Sequence, residues 1–258
     1  MGDPFTPKEE YGQVLYEFLR NVPKVIRLDE NRVLKSSITD SRETEAMKFI
    51  AANTTIPVPK VYDAKWSDDP AWKPSQIVME YIPGESLDKA WEKLSHEQRL
   101  STCAELRGFL EQLQQLKGTR IQAVNGGRVT VGLRFPRQGG PFDTEKEFHD
   151  FLVESSSQRL SPFFKQYARD ALADDHEIRF AHGDFSPRNI IVDECGHVKA
   201  VLDWDRAGWY PEYWDHNRML SENPGVRNYF PYINHILPFK YTQEVLAIGY
   251  LLRISGDG

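Results

Sequence analysis

The sequence predicts an α+β protein in two unequal parts, a small strand-rich N-terminal region and a larger, mainly helical C-terminal one. Three observations carry this expectation. Short β-branched runs separated by turn residues dominate the chain up to Tyr81. Beyond Pro83-Gly84, apolar residues recur at three- and four-residue steps through most of the remaining sequence. One strand–turn–strand pattern, over 190–202, interrupts that helical region. The break at Pro83-Gly84 therefore divides the chain into 1–83 and 84–258.

The elements follow in order. Residues 8–20 carry Val14, Leu15, Phe18 and Leu19 on one helical face and predict an opening amphipathic helix. Segments 24–28 and 32–35 flank the turn Asp29-Glu30-Asn31 and predict a hairpin. Asp40, with Glu43 three residues on, has the pattern of a helix start, and Ala46, Met47, Ile50 and Ala51 form its apolar stripe. Pro57 and Pro59 end that helix, and 58–62 and 76–81 predict two further strands. Past the break, Ser95 and Gln98 have capping-box spacing ahead of Leu100, Cys103, Leu106, Leu110, Leu113 and Leu116. Residues 122–142 contain Gly and Pro without periodicity and predict a long loop of the kind that usually has a function. Helical patterns resume around 144–154, 160–173, 211–220 and 242–253.

Composition excludes several classes. With 258 residues, 40% of them hydrophobic and 27% charged, the chain suits one large domain or two small lobes. A net charge of −6 with interspersed signs supplies no basic footprint for nucleic acid. No apolar run approaches the length of a membrane span, and no signal-peptide pattern opens the chain. Two cysteines, Cys103 and Cys195, fit a reducing compartment better than a disulfide scaffold, so the expected location is the cytoplasm. The expected state is a monomer or weak dimer.

The chemistry concentrates in His182-Gly183-Asp184-Phe185-Ser186-Pro187-Arg188-Asn189, followed nineteen residues after Asp184 by Asp203. Phosphoryl transfer needs a group to accept the acceptor's hydroxyl proton and oxygen ligands for magnesium on the phosphates. Asp184 suits the first role, Asn189 and Asp203 the second. The segment between them reads as a hairpin: Ile190-Ile191-Val192, a turn at Asp193-Glu194-Cys195-Gly196, then 198–202. Such a hairpin would return Asp203 to the neighbourhood of Asn189 and Asp184. His182 reads as a brace for this segment. Asp205 either joins the metal shell or pairs with Arg188 or Arg206.

These motifs resemble the aminoglycoside phosphotransferase and choline kinase relatives of the protein kinase fold, particularly the fungal-type small-molecule kinase-like proteins. The resemblance also rests on Thr54-Thr55-Ile56-Pro57-Val58-Pro59-Lys60-Val61-Tyr62, on Met79-Glu80-Tyr81-Ile82-Pro83-Gly84, and on Trp204-Asp205-Arg206-Ala207-Gly208-Trp209-Tyr210-Pro211. It implies a bilobal protein kinase-like fold, with the nucleotide between a small β-rich N-lobe and a larger helical C-lobe. No Ala-Pro-Glu follows Asp203, which argues against a protein substrate.

The same resemblance implies a strand lysine that reaches the α- and β-phosphates and a glutamate from the next helix that holds it. Lys35 and Glu45 are the candidates, with Glu43 the rival already explained by helix capping. Glu80-Tyr81-Ile82 would be the hinge, offering main-chain groups of Glu80 and Ile82 to adenine. Where a protein kinase carries glycines between its first strands, the sequence has Asp29-Glu30-Asn31. The expected activity is magnesium- and ATP-dependent transfer of the γ-phosphate to a hydroxyl of a small molecule. Trp204, Trp209, Tyr210, Tyr213 and Trp214, interleaved with Asp205, Glu212 and Asp215, either pack the helical lobe or form a cation-binding site. In the second case Asp205, Trp209 and Tyr213 would recognise an amine-bearing or aminoglycoside-like acceptor, with Phe135, Phe142 and Phe148 as a further wall. The alternative is a biosynthetic enzyme that has turned a kinase-like cleft to a non-phosphorylating reaction. The missing glycine loop and the acidic turn are its support.

Overall fold

The N-terminal part of the computed structural model is built on one antiparallel sheet of five strands in the order β1-β2-β3-β5-β4. The structure describes residues 3–8, 10–17, 24–37, 40–67, 74–132, 136–156, 160–221, 226–237 and 241–254. The strands are β1 (Val14–Glu17), β2 (Lys24–Arg27), β3 (Arg32–Ser37), β4 (Val61–Lys65) and β5 (Ser75–Glu80), with helix α1 (Arg42–Asn53) between β3 and β4. The apolar stripe of α1, Ala46, Met47 and Ile50, is buried with Val33, Ile77 and Met79 of the sheet.

The first element corrects an expectation: 14–17 form an edge strand, not part of an opening helix. Val14 pairs with Ile26 and Glu17 with Lys24. The spacing of four apolar residues suits a helix, but pairing with the open edge of β2 satisfies the backbone of this β-prone run instead. Val14, Leu15 and Tyr16 stay 41, 41 and 52% exposed, so there is no buried helical face. Phe18 and Leu19 lie outside the described residues.

The sheet ends at Glu80. Next come β6 (Glu85–Ser86), α2 (Leu87–Ala90) and the long α3 (His96–Gln115). Gly84 lies at φ +147, and a Cβ there would stand 2.6 Å from both Ile191 Cγ2 and the Val192 carbonyl oxygen. Only glycine lets the chain pass so close to another backbone. The Ser95–Gln98 capping box forms at the start of α3, and Cys103, Leu106, Leu110 and Leu113 are buried along it.

Residues 122–142 are more ordered than a loop. They contain β7 (Gln122–Ala123) and a hairpin of β8 (Val129–Val131) with β9 (Arg137–Gly139). Phe135 lies outside the described residues. Then follow α4 (Glu145–Glu154), α5 (Pro162–Asp170), β10 (Ile178–Ala181), β11 (Ile190–Val192), β12 (Val198–Val201), β13 (Gly208–Pro211), α6 (Trp214–Ser221), α7 (Ile233–Ile236) and α8 (Thr242–Ile254). The expected helix at 211–220 starts late because β13 pairs with β10 through Ile178 and Pro211. One apolar cluster runs from Val33 and Met79 through Trp91 and Leu106 to Phe185 and Trp204. A second gathers Phe148, Leu152, Tyr210, Trp214, Ile248 and Leu251 in the helical part.

Candidate active site

Residues 182–189 hang between β10 and β11 and are braced by His182 and Asp215. His182 uses both ring nitrogens: Nε2 donates to the Leu202 carbonyl (2.9 Å), and Nδ1 accepts from the Asp184 N–H (3.1 Å). Asp215 of α6, 4% exposed, accepts the N–H groups of His182 (2.9 Å) and Gly183 (2.8 Å). Burial pushes its carboxyl up against the pull of these donors and of His182. Gly183 sits at φ +80, where a Cβ would fall 2.6 Å from the Arg206 carbonyl oxygen. The triplet thus has a glycine at its centre for steric reasons.

The hairpin does what its sequence predicts. Ile190 pairs with Val201, and the Leu202 N–H donates to the Asn189 carbonyl (2.7 Å), so Asp203 follows directly beside Asn189. Asn189 Nδ2 donates to the Asp184 carbonyl (3.0 Å), which leaves the amide oxygen as the end able to take a cation. Asp203 adopts a left-handed backbone, φ 64, uncommon for a residue with a side chain.

From β3, Lys35 crosses to this corner. Its Nζ lies 2.7 Å from Glu43 Oε1 and 2.5 Å from Asp203 Oδ1, joining residues 168 apart in sequence. Glu43, 1% exposed, is the helix partner; Glu45 is not, and instead bonds the Ser41 hydroxyl. This corrects the assignment of Glu45. Two helical positions separate the residues by roughly 200°, so only one can face the sheet. Glu43 does not cap the helix: the N-cap, Ser41, has no side-chain cap hydrogen bond, and Asp40 just before it accepts the Arg42 N–H with Oδ1 (3.0 Å).

Charge at this corner is predominantly negative. Desolvation works against the Lys35 charge, but Asp203 and Glu43 more than restore it and raise its pKa. Burial drives the Glu43 carboxyl up, opposed by Lys35. Asp203, still 38% exposed at its side chain, is pushed up by its loss of water and pulled below the usual carboxylate range by Lys35. Asp205 is pushed up to about 7 by desolvation and by the neighbouring Asp203 charge. Its nearest cation is Arg206, at 4.0 Å; Arg188 pairs elsewhere, with Asp184.

A cleft of about 400 Å³ opens over Lys35, Glu43 and Asp203. Leu15, Tyr16, Val25 and Val33 line it from the sheet, Met79 to Ile82 from the connecting segment, and Arg188, Asn189, Ile191, Leu202 and Asp203 from the helical part. At the connecting segment, the Glu80 N–H donates to the Lys60 carbonyl (2.9 Å) and the Tyr81 N–H to the Asn31 carbonyl (2.8 Å). Asn31 therefore belongs to the hinge end of the sheet. The turn Asp29-Glu30-Asn31 joins β2 to β3 at that end, and residues 18–23, between β1 and β2 in sequence, lie outside the described residues. Asp29 closes its own turn, bonding the Asn31 N–H (2.9 Å) and Arg32 (2.8 Å).

Residues 18–232 match the phosphotransferase enzyme family. The chain belongs to that family. No curated protein matches this phosphotransferase-family chain in sequence. In fold it is similar to the type VIII aminoglycoside-3'-phosphotransferase, at 18% identity and TM-score 0.59 over 95% of this chain and 93% of that one. A thermostable mutant of the aminoglycoside phosphotransferase APH(4)-Ia aligns at 15% identity and TM-score 0.63, over 94% and 84% of the two chains. The GDP and kanamycin complex of APH(2")-IIIa type aligns at 15% identity and TM-score 0.61, over 93% and 81%. The fold is the bilobal kinase-like α+β fold of these enzymes, and family membership supports a small-molecule phosphotransferase.

Of the two readings of the aromatic run, packing of the helical lobe is the one the described residues follow. Trp204, Tyr210, Tyr213 and Trp214 are 0–1% exposed and belong to the interior. Trp209 packs edge-on against Phe49 and Phe180, and the Tyr213 hydroxyl bonds His149 Nε2 (2.5 Å). Asp205 keeps a 25% exposed side chain but no aromatic partner in a cage. Phe148 is fully buried with Phe142 against it, so these rings are core. From the sequence, Arg188 is only a possible partner of Asp205; in the structure its Nη2 lies 2.7 and 2.6 Å from the two oxygens of Asp184.

Proposed function

We propose that this protein transfers the γ-phosphate of ATP to a hydroxyl of a small molecule, with magnesium, in a cleft between lobes that meet at 83–84. The observation carrying the proposal is Lys35, held between Glu43 and Asp203 at the floor of a nucleotide-sized cleft that Asn189 also lines. Lys35 would hold the α- and β-phosphates, with Glu43 rather than Glu45 keeping it in place. With the N–H groups of Glu80 and Tyr81 already used, adenine would fall to the Ile82 N–H and the hinge carbonyls, including that of Glu80.

Asn189 and Asp203 fit magnesium. They offer two hard oxygens, and this ion takes few protein ligands when phosphates and water complete its shell. Among the described residues, no cluster of three His, Cys, Asp or Glu side chains forms a self-sufficient metal cage. A magnesium ion held by Asn189 and Asp203 would supply positive charge to offset the charge developing on the transferring phosphoryl group. Asp184 would accept the acceptor's hydroxyl hydrogen bond and orient its oxygen in line with the phosphorus.

The acceptor is assigned only as a hydroxyl of a small molecule. Structures similar in fold contain hygromycin B or kanamycin, which makes aminoglycosides a sensible first screen, followed by amino alcohols and sugars. The rival reading, a repurposed cleft, drew on acidic side chains near the phosphates, and Asp29 and Glu30 stand at the other end of the sheet. The test is calorimetric titration of MgATP into the wild type and into Asp203→Asn, with magnesium-free controls. Magnesium-dependent binding lost in a folded variant supports the proposal. A folded wild type that takes no nucleotide refutes it.

A further inference from the structure

Among the described residues, Arg188 is the one cation on the cleft wall that also engages Asp184. Its Nη2 contacts both carboxylate oxygens, and its Nη1 donates to Ser186 Oγ (2.9 Å). Asp184 is itself only 5% exposed at its side chain. An acceptor hydroxyl arriving at Asp184 must therefore displace or share this contact.

The contact is poorly suited to permanence. A single guanidinium nitrogen serves both oxygens, rather than two nitrogens in the parallel fork that makes Arg–carboxylate pairs strong. Arg188 is also 36% exposed at its side chain, so the guanidinium can leave the pair for water or another anion without being stranded. Meanwhile the incoming triphosphate needs positive charge beyond that of Lys35, which is already matched by Glu43 and Asp203; the other cations lining the cleft among the described residues are Lys89 and Arg188, and only Arg188 adjoins Asp184 and Asn189. Arg188 lines the same cleft and is covalently next to Asn189. Guanidinium presents a fork of donors that fits phosphate oxygens.

We infer that Arg188 takes hold of the terminal phosphate of the bound nucleotide and, in doing so, uncovers Asp184 for the acceptor. The inference rests on the nucleotide reading above. In the transfer that follows, the acceptor oxygen forms its bond to phosphorus as the bond to the ADP oxygen breaks. The electron pair leaves with ADP, and the hydroxyl proton passes to Asp184. Arg188 would thus couple nucleotide loading to exposure of the base.

The test compares magnesium-dependent binding of ADP and of AMP-PNP, an ATP analogue that resists hydrolysis, to wild type, Arg188→Gln and Arg188→Lys by calorimetry. The ratio of the two affinities isolates the terminal phosphate. Arg188→Gln should bind ADP as the wild type does and lose about tenfold or more of the AMP-PNP preference, as expected for a charged hydrogen bond. Arg188→Lys, which keeps the charge, should recover part of it. An unchanged ratio in Arg188→Gln overturns the inference, as does an equal loss for both ligands, the sign of a purely structural role. Nucleotide binding with an unchanged ratio removes this inference alone. No binding by wild type removes the parent reading with it.

Discussion

Replacing Lys35 by Met tests the buried charge pair independently of any ligand. The change removes the ammonium and leaves Glu43, 1% exposed, without its counter-charge. Breaking a buried pair on one side costs about 3–5 kcal/mol. Asp203 can turn to water, being 38% exposed, so the lower end applies, about 3 kcal/mol. For a chain of this length that lowers Tm by roughly 6–12 °C. The double variant Lys35→Met with Glu43→Gln removes the stranded charge and should regain at least about half of the loss. The deficit should also depend on pH. Burial already pushes the Glu43 carboxyl up, and without Lys35 nothing opposes it. A carboxyl raised in the folded state stabilises below its unfolded pKa, and that contribution is lost as pH rises through the folded value. The single variant should therefore lie closest to wild type near pH 5 and furthest from it near pH 8. Thermal unfolding followed by circular dichroism across that range reads both effects. A single variant that melts with the wild type at pH 8, or a double variant less stable than the single, would refute the reasoning.

Three further outcomes are expected. Gly84→Ala must place a methyl 2.6 Å from Ile191 Cγ2 and the Val192 carbonyl at φ +147, and should cost at least about 1–3 kcal/mol. Gly108→Ala, within α3 with nothing within 4 Å of the added carbon, should instead raise stability by up to about 1 kcal/mol; denaturant melts compare the two. With a thiol reagent such as DTNB, exposed Cys195 should react in the native protein. Cys103, fully buried with its thiol pushed up to about 12, should react only on unfolding. Burial depresses the His216 imidazole to about 4, so its contribution is held above the unfolded pKa and lost as pH falls from about 6.5 towards 4. His216→Gln should flatten the acid side of the Tm-against-pH curve, and an unchanged slope would contradict this.

Local signals were legible in the sequence where local physics decides. The Ser95–Gln98 capping box and the hairpin that returns Asp203 beside Asn189 both depend on neighbours a few residues away. Choices between faces were not legible. Glu43 and Glu45 sit in one helical turn, and the sequence pattern accounts for Glu43 by capping, a role it does not take. Position along the chain also misplaced Asp29-Glu30-Asn31. With 14–17 read as helix, the visible hairpin passed for the first pair of strands, and every connection was displaced by one. Edge pairing of β1 with β2 joins Val14 to Ile26 and Glu17 to Lys24, partners that lie beyond the 8–20 segment read as a helix. The aromatic run from Trp204 to Trp214 failed for a related reason. Nearness to Asp203 in sequence says nothing of which way a ring turns, and these rings turn inward.

The apolar cluster that runs unbroken from Val33 and Met79 to Phe185 and Trp204 has a practical consequence. The change of architecture at 83–84 is not a seam in the interior. Two polypeptides cut at that point would each carry half of one core, with Ile77 and Met47 bared on one piece and Trp91 and Leu106 on the other. Such fragments could become ordered only by finding each other. A two-piece reporter built on this cut would register the meeting of the pieces, whether or not nucleotide was present.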